Sequence, residues 1–205
     1  MNDFHSPFTA ALQANQKDFG IALSEKNLNN LSIYYEFVQK HNQILHLVAP
    51  SSPEEFAVRH ILESLFLQKF LPEKAKFADI GTGAGLPSIP CLIFREDLRG
   101  VLIESKLKKA RFLEEVLREC ELEKRAKVFE RQFEEVEKPA VDFVTCRALD
   151  KFTEKIPRIL KWSNGCTLLL FGGDNLRNEL EKQRVKFESK LIPLSEKRFL
   201  FVARN

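Results

Sequence analysis

Three glycines at alternate positions, Gly81, Gly83 and Gly85, stand in the stretch Phe77-Ala78-Asp79-Ile80-Gly81-Thr82-Gly83-Ala84-Gly85-Leu86-Pro87. A glycine loop lets backbone lie close against a ligand, because any Cβ would push the ligand away. A helix following the loop would aim its free N–H groups at the same place. A dinucleotide site needs G-x-G-x-x-G, with the third glycine packing helix against strand. Here the third glycine comes one position early, and Leu86 stands where that pattern needs glycine. An ordinary glycine turn is the competing reading.

Other residues could complete a site. Glu104, about two dozen residues after Gly81, suits a carboxylate that accepts hydrogen bonds from a ribose diol; the alternative is a charge favouring a helix N-terminus. Gln132 and Phe133 would sit where an adenine ring could be stacked and read at its edge, although a lone Phe is more often core. Arg147, straight after an apolar strand, would face the ligand crevice and pair with a carboxylate or phosphate, or else form a structural ion pair. Cys146 beside it could serve as a thiolate nucleophile only with a lowered pKa. Arg59-His60 is a polar pair in an apolar segment, which reads as a solvated face or an internal hydrogen-bond partner. Lys106, Lys108, Lys109 and Arg111 crowd the turn after the second strand, and Lys151, Lys155, Arg158 and Lys161 line one helix, as phosphate contacts or solvated faces.

The elements that must hold these residues follow from periodicity. Residues 1 to about 50 read as helical, with Leu28, Leu31, Tyr35 and Val38 on one face. Ser52-Pro53-Glu54-Glu55 supplies an N-cap, a proline at the first position and a capping-box Glu. The helix it starts runs through Phe56, Ile61, Leu62 and Leu65 and stops near Pro72. Strands are expected at Phe77 to Ile80, Gly100 to Glu104, Lys127 to Phe129, Asp142 to Cys146, Cys166 to Phe171 and Phe199 to Ala203. Helices are expected with an apolar face of Leu107, Ala110, Leu113, Val116 or Leu117 and Cys120, over about 151 to 161 with a kink at Pro157, and over 175 to 188. This alternation predicts an α/β fold with a mostly parallel, doubly wound sheet: an N-terminal helical extension over 1–72, then a ligand-binding domain over 73–205. In such sheets ligands sit at the carboxyl ends of the strands, where the strand order reverses.

At 205 residues the chain can bury a full core, and its net charge of +3 permits a nucleic-acid partner without demanding one. Cys91, Cys120, Cys146 and Cys166 form no C-x-x-C pair and no metal-like spacing, so buried thiols in a reducing cytoplasm are expected and a metal is not. The segment Met1 to Ala14 has no basic start and no long apolar run, so it does not read as a signal peptide. Nothing approaches the ~18 apolar residues of a membrane span. A cytoplasmic monomer is expected.

Asp79 with the G-x-G-x-G spacing resembles the S-adenosylmethionine loop of Rossmann-like class I methyltransferases. Over most of its length, from the Asn42 region onward, the sequence resembles the bacterial 16S rRNA guanine-N7 methyltransferases, the glucose-inhibited division protein B family. The residues that carry the likeness are Asp79 to Pro90, Val58-Arg59-His60-Ile61-Leu62-Glu63-Ser64, Lys108-Lys109-Ala110-Arg111-Phe112-Leu113 and Arg147-Ala148. The resemblance implies S-adenosylmethionine contacts at Gly81, Leu86, Gln132, Phe133 and Arg147, with Glu104 at the ribose, Arg59-His60 at the active-site rim, and 16S rRNA or the small subunit as partner. Some positions depart from the family. Its Trp-Asn and Asn-Leu-Thr elements appear as His41-Asn42 and His46-Leu47-Val48, and its Lys-Gly after strand five as Gly172-Gly173. These leave the cofactor site untouched but bear on the RNA contacts. Guanine N7 carries a lone pair and no proton, so such an enzyme needs positioning rather than a general base. The alternatives are a methyltransferase on another RNA, protein or small molecule, a cytosine-C5 enzyme using Cys146, and a nucleotide-binding module without turnover.

Overall fold

A computed structural model describes residues 6–204, so the first five residues of the expected N-terminal helical stretch lie outside the described part. The alternation of strand and helix closes into one seven-stranded sheet of order β3-β2-β1-β4-β5-β7-β6. Its strands are β1 (Lys76–Ile80), β2 (Arg99–Ile103), β3 (Ala126–Phe129), β4 (Phe143–Arg147), β5 (Thr167–Gly172), β6 (Phe187–Leu191) and β7 (Phe199–Arg204). The first five pair in parallel, and β7 and β6 add on antiparallel. The order runs outward from β1 in one direction and from β4 in the other. Their carboxyl ends, at Gly81 and Arg147, therefore flank the crevice where such sheets bind ligands.

The helices are α1 (Pro7–Asn15), α2 (Glu25–Leu45), α3 (Pro53–Phe56), α4 (Glu63–Leu65), α5 (Ser88–Phe94), α6 (Leu107–Glu119), α7 (Phe152–Trp162) and α8 (Asp174–Lys182). The helical N-terminal stretch is broken between α1 and α2, where Gly20 takes a left-handed φ of 63°. Ser24 then starts α2 with a reciprocal capping box to Asn27, a motif worth about 1 kcal/mol. The buried face of α2 is Leu28, Leu31, Tyr34 and Val38. Tyr35, expected inside, is instead half-buried and stacks on Phe8 at 4.3 Å, and the neighbouring Tyr34 goes fully inside. A one-residue change in the chosen face is within the width of a helical apolar stripe.

The helix begun by Ser52 does not continue to Pro72 as one α-helix. After Phe56 it widens into a π-helical turn over Ala57–Leu62, where the Glu63 N–H bonds the Val58 carbonyl five residues back. It returns to α4 and tightens into a 3₁₀ segment over Phe66–Phe70. Two other expectations shift. Leu107 stays 43 % exposed at the start of α6, whose inner face is Ala110, Phe112, Leu113, Val116 and Leu117. The last helix ends at Lys182 rather than 188, with Arg184 at a φ of 58°, and Phe187–Leu191 forms the unforeseen edge strand β6. Phe187 sits edge-on to Phe201 at 5.4 Å, a cross-strand pair that draws the segment into the sheet. Helix α7 runs on through Pro157.

Two apolar clusters cover the faces of the sheet. One joins Leu12, Leu31, Phe56 and Leu62 to Phe77, Leu92, Leu113 and Leu200, so the helices before Pro72 share a continuous core with one face. The other gathers Ile80, Val144, Ile156, Leu170 and Leu176 beneath α7 and α8. At roughly 1.5–3 kcal/mol for each large side chain buried, these layers hold the strand ends in place.

Candidate functional site

The glycine loop is pinned from several sides. Gly81 N and Thr82 N donate to the Ile103 carbonyl at 2.8 and 3.3 Å, and Gly85 N donates to Thr82 O at 2.8 Å. Gly83 N donates to Glu104 Oε2 at 3.0 Å, while Glu104 Oε1 accepts from Lys106 N at 2.9 Å. A buried phenol reaches in from the N-terminal segment: Tyr34 Oη donates to the Ala84 carbonyl at 2.9 Å. All three glycines have positive φ, but they differ in what surrounds them. A Cβ on Gly81 would lie 2.3 Å from Leu149 Cδ1, and one on Gly85 2.4 Å from Ile89 Cγ1; above Gly83 there is only a backbone oxygen at 3.9 Å. Gly81 and Gly85 are thus demanded by the protein's own packing, and Gly83 leaves open space for a ligand.

Behind the loop, Asp79 is fully buried. Its Oδ2 accepts from Ser88 Oγ, and among the described residues Oδ1 has no hydrogen-bond partner. Burial pushes its pKa up to about 7, against the pull of the Ser88 and Thr82 hydroxyls.

A cavity of about 810 Å³ opens at the carboxyl ends of β1 and β4. Gly81, Gly83, Leu86, Glu104, Gln132, Phe133 and Arg147 line it, as do Arg59, His60 and Lys109. Asp79 and Gly85 support the loop from behind without lining the cavity, and Lys108 and Arg111 are exposed on α6 away from it. Gln132 is exposed; the Phe133 ring is buried in the cavity wall, edge-on to Trp162 at 6.0 Å. Lys109 Nζ donates to the His46 carbonyl at 3.1 Å, and burial draws its pKa down.

Arg147 meets its partners on the N-terminal side. Its guanidinium donates to Ser64 Oγ at 3.0 Å, to the Arg59 carbonyl at 2.5 Å and to Glu63 Oε2 at 3.1 Å. It also lies 5.5 Å from the Phe171 ring centre. The π-helical register sends the Glu63 N–H to Val58, and the Arg59 carbonyl receives Arg147 instead. Glu63 and Arg198 line the same cavity. Sequence reasoning missed both, along with Tyr34; the only local signal was a carboxylate inside an apolar helix.

His60 packs on Phe56 at 4.9 Å, and burial, with Arg147 and Arg59 nearby, lowers its pKa to about 4. It therefore presents a neutral imidazole at neutral pH. Cys146 is fully buried in the cluster beneath α7 and α8 and does not line the cavity. Burial raises its thiol well above the ordinary range, the reverse of what a nucleophile needs.

The positions that depart from the family also have places here. His41 packs between Phe37 and Phe112, and Val48 and Gly172 line the cavity. A Cβ on Gly172 would lie 2.6 Å from Leu176 Cδ2, so a lysine there would require the buried Leu176 to move.

The comparisons with known proteins agree with this geometry. Among solved structures, the mitomycin 7-O-methyltransferase MmcR superposes with a TM-score of 0.59 at 15% identity, covering 98% of this chain and 70% of that one. Precorrin-6y C5,15-methyltransferase from Geobacter metallireducens GS-15 gives 0.52 at 15% identity, over 69% of this chain and 86% of that one. Both likenesses show a Rossmann-like class I methyltransferase fold. The ribosomal RNA small subunit methyltransferase G of Escherichia coli K12 / DH10B is 36% identical over 140 residues, 68% of this chain and 67% of that protein. The sequence model of the GidB family, rRNA small subunit methyltransferase G, matches residues 27–201. With that match spanning the glycine loop, Glu104, Arg147 and the N-terminal segment that packs against them, the chain belongs to the rRNA small subunit methyltransferase G family.

Proposed function

We propose that this enzyme transfers the methyl group of S-adenosylmethionine to N7 of a guanine in 16S ribosomal RNA, acting as a monomer in the cytoplasm. The observation that carries the reading is the glycine loop at the sheet's reversal point, with open space over Gly83 and the Glu104 carboxylate bonded to the same loop. The site fits a cationic nucleoside ligand. Gly83 admits close backbone approach, and each Glu104 oxygen keeps acceptor capacity beyond its one backbone N–H. When bound, S-adenosylmethionine supplies an electrophilic methyl group on a sulfonium.

The protein's part is to hold and orient. Gly81 to Leu86 would carry the cofactor's backbone contacts and Glu104 its ribose hydroxyls. Arg59 and Lys155, both lining the cavity, offer charge to RNA phosphates at its rim. A guanine N7 needs no proton removed, which suits a site whose Glu63 is held between two guanidiniums and whose Glu104 already accepts two backbone N–H groups. Neutral His60 could hydrogen-bond a base edge. The cytosine-C5 alternative loses its nucleophile with Cys146 buried. Four buried free thiols agree with a reducing compartment, and among the described residues no helix is long and apolar enough to cross a membrane.

The test uses methyl-labelled S-adenosylmethionine and small subunits from cells that lack the enzyme. Borohydride and aniline cleave RNA at N7-methylguanosine, and primer extension locates the break. The expected result is a single new break that Gly83→Asp abolishes. Label in RNA without a break would refute the N7 assignment.

A further inference from the structure

One buried carboxylate joins three distant parts of the chain at the edge of the cavity. Glu63 is 1 % exposed. Its Oε1 accepts from Arg198 Nε at 2.8 Å, with Arg198 Nη2 at 2.6 Å from the same oxygen. Its Oε2 accepts from Arg147 Nη2 at 3.1 Å. Arg147 comes from the end of β4, Arg198 from the connection between β6 and β7, and Glu63 from the helix that follows the π-helical turn. Arg147 in turn fixes that turn through the Arg59 carbonyl at 2.5 Å.

Without the shared carboxylate, two guanidiniums would face each other in a partly desolvated place. Buried ionic clusters of this kind are weak contributors to net stability, since well-packed apolar side chains often do as well. What this cluster does provide is position. Arg59, His60 and Arg198 all line the cavity, as do Gly83 and Glu104, which have their own supports.

We propose that Glu63 is a positioning residue for methyl transfer: by holding Arg147 and Arg198 it fixes the π-helical turn and the β6–β7 connection as the substrate-side rim of the site. The proposal rests on the rRNA reading for the identity of the substrate. Arg147 keeps its guanidinium on Glu63, Ser64 and the Arg59 carbonyl. On this reading the cofactor is held by the glycine loop and Glu104, whose supports do not involve Glu63, so loss of Glu63 acts on RNA and spares the cofactor.

The experiment compares the full-length wild type with Glu63→Gln, Glu63→Asp, Arg198→Ala and the double variant Glu63→Gln/Arg198→Ala. Filter binding to small ribosomal subunits, calorimetric S-adenosylmethionine binding and the KM–kcat split for methyl transfer are read for each. Glu63→Gln is expected to weaken subunit binding and raise its KM by about tenfold or more, with cofactor affinity within about threefold. Glu63→Asp restores most of the loss because it keeps the charge. If Arg198 acts through Glu63, the double variant is no worse than the single ones, whereas independent effects multiply. Multiplying effects, unchanged subunit binding, or a loss confined to cofactor affinity would each overturn the proposal. Should Glu63→Gln not fold, Arg198→Ala leaves the Glu63–Arg147 pair intact and decides the matter by the same subunit-binding comparison. A wild type that binds subunits without forming N7-methylguanosine overturns the N7 reading alone, and the affinity comparison still judges Glu63. A wild type that binds no subunits overturns both.

Discussion

Tyr34→Phe should weaken the cofactor loop from a distance of fifty residues in sequence. The phenol is fully buried, and its hydroxyl donates to the Ala84 carbonyl at 2.9 Å. Burial raises its pKa well above the ordinary value, so it remains a proton donor at any working pH. The substitution keeps the ring and its packing, and removes only the hydroxyl. A buried carbonyl left without its partner costs about 1–3 kcal/mol. Ala84 lies between two glycines at positive φ, and those residues have little steric restraint of their own, so the loss falls on the loop's order. Urea unfolding should show stability reduced by about 1–3 kcal/mol with an unchanged slope. If half of that energy serves to preorganise the loop, calorimetry should show S-adenosylmethionine binding weakened by about twofold to tenfold. Subunit affinity should not change. A stability loss under about 0.5 kcal/mol with wild-type cofactor affinity would refute the reasoning, because it would mean that the loop holds itself without the N-terminal segment.

Other outcomes follow from the same geometry. Gly81→Ala combines a left-handed backbone, at about 1–2 kcal/mol, with a clash against Leu149, whereas Gly165→Ala at φ 82° meets nothing within 4 Å and bears the backbone cost alone. Unfolding curves should therefore rank Gly81→Ala as clearly the more damaging; equal losses would remove the packing argument for that glycine. The pH dependence of stability contains two opposed contributions. Asp79 has its pKa raised to about 7, so the folded state holds this proton more tightly, and its contribution to stability grows as pH falls from about 7 toward 4. His60 has its pKa lowered to about 4, so the unfolded state holds that proton more tightly, and stability is lost as pH falls from about 6.5 toward 4. Asp79→Asn should therefore make acid destabilisation steeper, and His60→Gln should make it shallower or reverse it. Urea midpoints measured across this range would refute the assignment if the three profiles ran parallel.

The sequence alone determined the features that depend on near neighbours. Apolar runs and helical spacing gave five parallel strands and most of the helices between them, because burial of one face is written in each segment's own periodicity. The glycine loop and Glu104 were legible for a related reason: ligand-facing residues in such a sheet lie directly after strand ends, so finding the strands finds the positions. Gly83 N bonding Glu104 Oε2 at 3.0 Å joins two residues that the strand order already brought side by side.

Tertiary structure decided what depended on partners far along the chain. Nothing local distinguishes Tyr34 from Tyr35, and only the glycine loop waiting above α2 selects the one that can reach Ala84. The π-helical turn sends the Glu63 N–H past the Arg59 carbonyl, which receives Arg147 from more than eighty residues away. The T-shaped contact of Phe133 with Trp162 joins two segments that no local pattern links, and β6 pairs with β7, setting Phe187 against Phe201, although its own alternation is weak and mostly exposed. Arg147 was legible as a crevice residue, but the direction of its guanidinium was not. A buried charge goes to the carboxylate that compensates it, and Glu63 was brought there by the packing of an N-terminal segment whose position no periodicity specifies.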